Sequence, residues 1–355
     1  MTHTVPHYIK SNAKNYPKDI ALREKKFGVW KTKDWQQCLE EIENITLGLY
    51  AKGINGKKTI AILGNNTPRW TLAEIAVQSL GSIPLGIYSD ALESEIIYLI
   101  DYSSCRVVFV EDEEQADKIM SLSDSKRKID LIVYDEPKGM NKYDDKRLIS
   151  YKNLLKAGNE FKKHNTNFFN KLLENINEED TCIFCPTSGT TANPKLAMIS
   201  HKALLNHSKS YLSADPKNSN DEYVSVLPMP WIMEQTYAVG KWCISRMKVN
   251  FVEEAETLFD DLREIGPTFI LFGPRVWEQM AADIRSKVMD SSFIKRGIYG
   301  LSMKLMSLKS NFLIKLLCEF LVNRWLRDQL GLSFVKSAAT DNNFSDVKNS
   351  IKCIV

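Results

Sequence analysis

The chain of 355 residues lacks a long hydrophobic run. Its most apolar stretch, residues 312–326, is broken by Lys315, Glu319, Asn323 and Arg324, so it is too short and too charged to span a bilayer. The opening Met1-Thr-His-Thr-Val-Pro6 has neither the basic nor the apolar region of a secretory signal. Seven cysteines, an odd number, are scattered from Cys38 to Cys353, which argues against a disulfide framework and fits a reducing compartment. His3, His7, His164 and His207 show no metal-ligand spacing. Lys and Arg total 47 against 44 Asp and Glu, a formal charge of +3 without a basic stripe, so no nucleic-acid surface is expected. The expectation is a soluble, cytoplasmic protein.

What is present has an ordinary globular balance, 44% hydrophobic and 26% charged. The length suits two domains with sizeable cores. Apolar runs at residues 58–63, 84–88, 106–110 and 130–134 read as strands, with helices at 68–80, 93–101 and 113–122 between them. Thr67 is placed to cap the first of these helices and Pro68 to open it, with Trp70, Leu72, Ile75, Ala76 and Leu80 on its apolar face. A polar loop follows at 136–147, then helical segments over 148–177. Further strands are expected at 223–227, 248–252 and 268–272, and helices at 201–213, 231–243, 255–264 and 275–287. Residues 294–330 read as helical, with Phe312, Leu313, Leu316, Leu317, Phe320 and Leu321 on one stripe. The expected fold class is α/β, with two mostly parallel sheets flanked by helices, because strands that alternate with helices and are apolar throughout are buried on both faces. The expected division is a first α/β subdomain at 1–165, a second at 166–340, and a divergent tail at 341–355.

Chemistry concentrates in Thr187-Ser-Gly-Thr-Thr-Ala-Asn-Pro-Lys195, between the apolar runs 182–185 and 196–199. The hydroxyls of Thr187, Ser188, Thr190 and Thr191 can donate to phosphate oxygens, Gly189 lets the backbone approach closely, and Lys195 adds a cation. The loop is not a Walker A motif: it lacks the second glycine, and a strand follows it rather than a helix. The bland alternative is a polar hairpin that happens to be rich in Thr and Ser. Cys182 and Cys185 form a C-x-x-C, but residues three apart on a strand face opposite ways, so buried strand cysteines are expected rather than a metal or redox pair. Ser200 reads as a helix cap and His201 as the helix start. Glu253-Glu254 reads as a solvated turn, and Arg275 and Trp277 as packing residues.

The loop resembles the T-S-G-T-T-G-x-P-K-G signature of the AMP-forming acyl-adenylate superfamily, with Ala192 and Leu196 in place of its two later glycines. Leu227-Pro-Met-Pro-Trp-Ile-Met-Glu-Gln235 is similar to a second motif of that family, which lies beside the acyl pocket. The segment 267–278, together with Trp30, Trp35 and residues 47–49, resembles the long-chain fatty acid–CoA ligase branch. The resemblance implies two steps. A carboxylate attacks the α-phosphorus of ATP to give an acyl-adenylate and pyrophosphate, and the thiol of coenzyme A then displaces AMP. By resemblance, Thr187, Ser188, Gly189, Thr190, Thr191 and Lys195 bind the nucleotide phosphates, and Trp231 and Glu234 lie near the acyl or adenylate site. A core aromatic opening a helix is the alternative for Trp231. The implied small molecules are a long-chain fatty acid, ATP, Mg2+ and coenzyme A, with no metal ligand assigned. The stripe 312–321 leaves room for peripheral membrane contact.

The resemblance is followed as far as Ser337-Ala-Ala-Thr340. The family's adenine, ribose and metal contacts and its adenylation lysine are expected beyond that point, so no catalytic residue is assigned within the chain. The expectation is a C-terminally truncated ligase with little or no turnover of its own. Two alternatives stand beside it: a non-catalytic nucleotide- or acyl-binding fragment, and an acyl-adenylate enzyme for another carboxylic acid.

Overall fold

The computed structural model describes residues 4–121, 129–187, 194–307, 322 and 324–340. The chain divides into two compact units. The first comprises Met1–Arg23, Thr32–Ser219 and Pro228–Met247, and the second Glu24–Lys31, Asn220–Leu227 and Lys248–Val355. This differs from the division expected at residues 165/166, because the strands on either side of the phosphate loop hydrogen-bond into the first unit's sheet.

The strands, in chain order, are β1 (Ile20–Lys26), β2 (Val29–Asp34), β3 (Thr59–Leu63), β4 (Ile83–Ile87), β5 (Val107–Val110), β6 (Leu131–Tyr134), β7 (Leu148–Ser150), β8 (Thr181–Pro186), β9 (Leu196–Ser200), β10 (Glu222–Ser225), β11 (Lys248–Phe251), β12 (Phe269–Leu271) and β13 (Ser337–Ala339). The helices are α1 (Val5–Asn15), α2 (Trp35–Ala51), α3 (Pro68–Ser79), α4 (Glu93–Tyr102), α5 (Glu113–Ser121), α6 (Tyr151–His164), α7 (Phe168–Glu174), α8 (His201–Ala214), α9 (Ile232–Glu234), α10 (Trp242–Ser245), α11 (Leu258–Ile265), α12 (Pro274–Met289), α13 (Phe293–Ser307) and α14 (Arg324–Gln329).

The first unit is built on a seven-stranded sheet in the order β7-β6-β5-β3-β4-β8-β9. Neighbours run parallel from β7 to β8, and only the last pair, β8 and β9, is antiparallel. The Val/Ile/Leu composition of the central strands follows from burial on both faces. Ala61, Leu63, Leu85, Val108 and Ile132 belong to one buried cluster, into which α4 contributes Ile96, Leu99 and Ile100. Local caps set the helix starts. Asp34 accepts from the Gln37 amide at 2.8 Å, while the Gln37 side chain accepts from the Asp34 amide at 2.9 Å. Thr67 accepts from the Trp70 amide at 3.1 Å with Pro68 in the first turn, as expected.

Among the elements that the sequence does suggest, three depart from expectation. Helix α3 is not amphipathic: all of its residues but Arg69 are buried, including Thr71, Glu74, Gln78 and Ser79. Residues 148–150 form strand β7 instead of starting a helix. The helix expected at 231–243 is α-helical only at its ends, α9 and α10, and is π-helical over Gln235–Lys241.

The second unit holds a six-stranded sheet in the order β13-β12-β10-β11-β1-β2, to which β1 and β2 bring their Glu24–Lys31 ends. Strand β10 pairs in parallel with both β11 and β12, and β12 pairs in parallel with β13. Its core gathers Val224, Leu262, Ile270, Phe272, Trp277 and Met280. Trp277 donates to the Phe272 carbonyl at 3.1 Å and packs on its ring, consistent with a packing role. No described helix is long and apolar enough to cross a membrane. The stripe 312–321 and the tail 341–355 lie outside the described residues.

Candidate functional site

The segment that carries the phosphate-loop motif is a β-hairpin. Strand β8 pairs with β9 in the register Phe184↔Met198, Cys185↔Ala197 and Pro186↔Leu196. One step beyond the last pair, the Thr187 amide donates to the Lys195 carbonyl at 2.8 Å, and the Thr187 hydroxyl donates to the same oxygen at 3.2 Å. Thr187 and Lys195 are therefore the two feet of the loop, and both are exposed. A strand on each side of the loop is the setting that separates it from a Walker A motif. Ser188, Gly189, Thr190 and Thr191 lie outside the described residues.

The loop leaves β8 at its C-terminal end, on the side of the sheet where β3, β4, β5 and β6 also end. In open parallel α/β sheets this edge is where ligands bind. Asn65, after β3, donates its amide to the Glu111 carboxylate at 2.7 Å, and Ser89, after β4, donates to the Asn65 side chain at 2.9 Å. Desolvation pushes the Glu111 carboxyl above the usual carboxylate range.

Trp231 reaches the same edge from a distant part of the chain. It stands at the N-cap of α9, half-buried, after a turn in which its amide donates to the Pro228 carbonyl at 2.9 Å. The turn is held from three sides. The Met229 amide donates to the Asn66 side chain at 3.1 Å. The Met229 carbonyl accepts from Gln235 at 2.8 Å. Pro230 packs directly over Gly86 of β4, where any Cβ would come within 2.8 Å of the Pro230 Cα. Because β4 pairs with β8, this turn and the loop hairpin sit on neighbouring strands. Glu234, one turn of helix beyond Trp231, is fully buried.

Polar groups not singled out from the sequence lie in the core of the same unit. Glu74 and Gln78 of α3 and Gln235 of the π-helical segment are all buried and hydrogen-bonded to one another. Desolvation pushes the Glu74 carboxyl up to about 8, against the lowering effect of the Gln235 and Gln78 hydrogen bonds. The signal of Glu74 and Gln78 in the sequence is two long polar side chains, four residues apart, in a helix whose other residues are mostly apolar. Lys241 at the far end of the π-helical segment is also buried, with its ammonium 4.1 Å from the centre of the Tyr237 ring. Burial lowers its pKa to about 8.

His201 opens α8 as expected. Ser200 caps the helix by accepting from the Ala203 amide at 3.1 Å, and the His201 Nδ1 accepts from the Val5 amide at 3.3 Å. Cys182 and Cys185 are buried in β8 as free thiols, both pushed up by burial. Glu253 accepts from the Gly28 amide, so it is tied down rather than simply solvated. Among the described residues no group of three or more His, Cys, Asp or Glu could hold a metal ion. The described side chains thus do not form a Mg2+ cage, and a Mg2+ carried by nucleotide phosphates would need few protein ligands.

A mostly parallel α/β sheet with a hairpin loop at the C-terminal edge of its strands has the architecture of a ligand-binding α/β fold. The family model described as AMP-binding enzyme matches residues 9–323, and the chain belongs to that family. Curated relatives include the long-chain-fatty-acid–CoA ligase ACSBG2 of Rattus norvegicus, 24% identical over 319 residues, covering 87% of this chain and 46% of that protein. Another is fatty acyl-CoA synthetase A of Dictyostelium discoideum, 25% identical over 297 residues, covering 81% of this chain and 43% of that protein. The chain thus spans somewhat under half the length of these relatives. Similar solved structures include the adenylation domain of the carboxylate reductase from Mycobacterium chelonae, with a TM-score of 0.73 at 16% identity over 99% of this chain and 56% of that one. The complex of VinN with L-aspartate has a TM-score of 0.63 at 18% identity, covering 81% of this chain and 66% of that one. At these identities the structures establish the fold.

Proposed function

We propose that this chain supplies the phosphate-binding and acyl-binding elements of an AMP-forming long-chain fatty acid–CoA ligase. The observation that carries the reading is the hairpin whose feet are Thr187 and Lys195, in a chain of the AMP-binding family. Residues 187–191 and Lys195 hold the pyrophosphate end of ATP through hydroxyls, backbone amides and one cation. The fatty acid carboxylate attacks the α-phosphorus, the bond to pyrophosphate breaks, and the acyl-adenylate forms. The thiol of coenzyme A then attacks the acyl carbon, and AMP leaves. Trp231, half-buried at the start of α9, lines the acyl side, and Glu234 supports that helix from within the core. The long-chain assignment draws on the names of the curated relatives and on the segment 267–278.

The substrate class is tested by titrating the chain with palmitate, octanoate and L-aspartate and following tryptophan fluorescence. Palmitate should bind saturably and most tightly. Trp231→Ala should weaken it about tenfold, the loss expected when one buried aromatic contact is removed. Tighter binding of octanoate or L-aspartate, or palmitate binding indifferent to Trp231→Ala, overturns the assignment.

A further inference from the structure

A continuous hydrogen-bonded bridge crosses the core of the first unit, from the beginning of β8 to the turn before α9. The Gln78 amide nitrogen donates to the Cys182 carbonyl of β8 at 3.0 Å and to the Glu74 Oε1 at 3.0 Å. The Gln235 amide nitrogen donates to the Glu74 Oε2 at 3.0 Å and to the Met229 carbonyl at 2.8 Å. Glu74 and Gln235 are fully inaccessible to solvent, and Gln78 is 1% exposed. The bridge therefore runs from the strand that enters the hairpin loop, through α3, to the turn that carries Trp231.

The orientations are fixed by this inventory. Each amide uses both of its N–H groups, one on a main-chain carbonyl and one on the carboxyl. Rotating either amide to present its oxygen would leave a buried carbonyl on β8 or on the turn without a donor. The outcome leaves Gln78 Oε1 and Gln235 Oε1 buried without a hydrogen-bond partner. An apolar filling of the same space would remove those two oxygens but also the donors to the Cys182 and Met229 carbonyls, so the arrangement exchanges two unpaired side-chain oxygens for two paired backbone carbonyls. What it does provide is a fixed distance between two backbone segments that are 47 residues apart in the chain, Cys182 and Met229. The π-helical segment begins at Gln235, and such extra-residue turns re-aim side chains at functional sites.

We propose that Glu74 is a positioning residue: through the amides of Gln78 and Gln235 it sets the strand entering the phosphate loop in register with the turn that presents Trp231. The proposal rests on the reading of residues 187–195 and of Trp231 given above. It assigns Glu74 no contact with substrate. It makes the two halves of the site mechanically one, so that a change at Glu74 is felt at both.

The discriminating variant is Glu74→Gln. The comparison is made above about pH 8, where the carboxyl is ionised and both of its oxygens accept; there the variant keeps the shape but replaces one acceptor with a donor that faces an amide N–H, so one of the two glutamines must rotate and release its backbone carbonyl. The full chain is labelled with 5-fluorotryptophan, and the Trp231 resonance is identified among seven tryptophans by its loss in Trp231→Phe. Hydrogen exchange is read at the Trp231 and Thr187 amides, and inorganic pyrophosphate is titrated. Glu74→Gln should move or broaden the Trp231 resonance and speed exchange at one or both amides. It should also weaken pyrophosphate about fivefold, within the range of couplings between groups of one network. Leu72→Ala, a buried change on the same helix, should lower the melting temperature and leave the resonance and both amides in place. Wild-type behaviour of Glu74→Gln, or equal disturbance by Leu72→Ala, overturns the proposal. If Glu74→Gln does not fold, Gln235→Met, which removes the bonds to Glu74 and to the Met229 carbonyl and leaves the Gln78–Cys182 link in place, decides in the same way. If the wild-type chain binds no pyrophosphate, the phosphate-loop reading falls, while the resonance and exchange data still decide the bridge.

Discussion

His201 shows how burial alone sets the behaviour of a residue that the sequence leaves ambiguous. It is 1% exposed, and desolvation lowers its pKa from 6.5 to about 4, although the charge of Asp180 pulls the other way. A neutral ring is also what the Val5 amide requires, since Nδ1 accepts from it. The folded pKa lies below the free value, so the neutral ring's contribution is intact above about 6.5 and is lost as pH falls toward about 4. Urea midpoints measured between pH 7 and pH 4 should fall, and the fall should be shallower in His201→Gln. Lys25 is a second case, in the other unit. Its ammonium meets Asp261 and Glu264, each at 2.7 Å, and Asp261 is completely buried. Asp261 also accepts from the Glu253 amide and the Thr257 hydroxyl. Lys25→Met leaves that carboxylate without its cation and should cost about 3 kcal/mol, near the lower end for a broken buried pair. Guanidinium unfolding measures the loss.

Helices α2 and α6 pack through glycine. A Cβ at Gly158 would lie 1.8 Å from the Asn44 carbonyl oxygen and 2.8 Å from the Gly48 nitrogen, and one at Gly48 would lie 2.4 Å from the Leu154 carbonyl oxygen. Gly158→Ala must push the helices apart and should cost about 3 kcal/mol, at the upper end for overpacking; a melting curve against wild type checks it. Which elements were legible in the sequence follows from the same packing logic. Strands β3, β4, β5 and β6 announce themselves because both of their faces are buried and only apolar residues suit them. Strands β1 and β2 do not, since Arg23, Glu24, Lys25, Lys31 and Lys33 leave no apolar run, and β2 is the sheet's edge. Strand β7 is only three residues long. The π-helical turn repeats at neither 3.6 nor 2 residues, so no periodicity reveals it.

At the scale of the molecule, the loop motif was readable because it sets particular residue types in a row: hydroxyls, a glycine and a lysine. The structure adds its feet at Thr187 and Lys195 and its place on the first unit's sheet, where the sequence reading had put it in a second domain. The bridge in the core was not readable. Glu74 and Gln235 are 161 residues apart, and nothing in one sequence pairs them. The β8–β9 hairpin and the turn before α9, to which the proposed function gives the phosphate side and the acyl side, belong to one unit. The central claim is that residues 187–195 grip pyrophosphate, and calorimetric titration of the 355-residue chain with inorganic pyrophosphate tests it most directly. The account predicts saturable one-to-one binding that weakens with added salt. It also predicts a loss of about tenfold or more in Lys195→Ala at an unchanged melting temperature, the cost of one charge-assisted contact. Equal affinity in Lys195→Ala, or no binding by the wild-type chain, would contradict it.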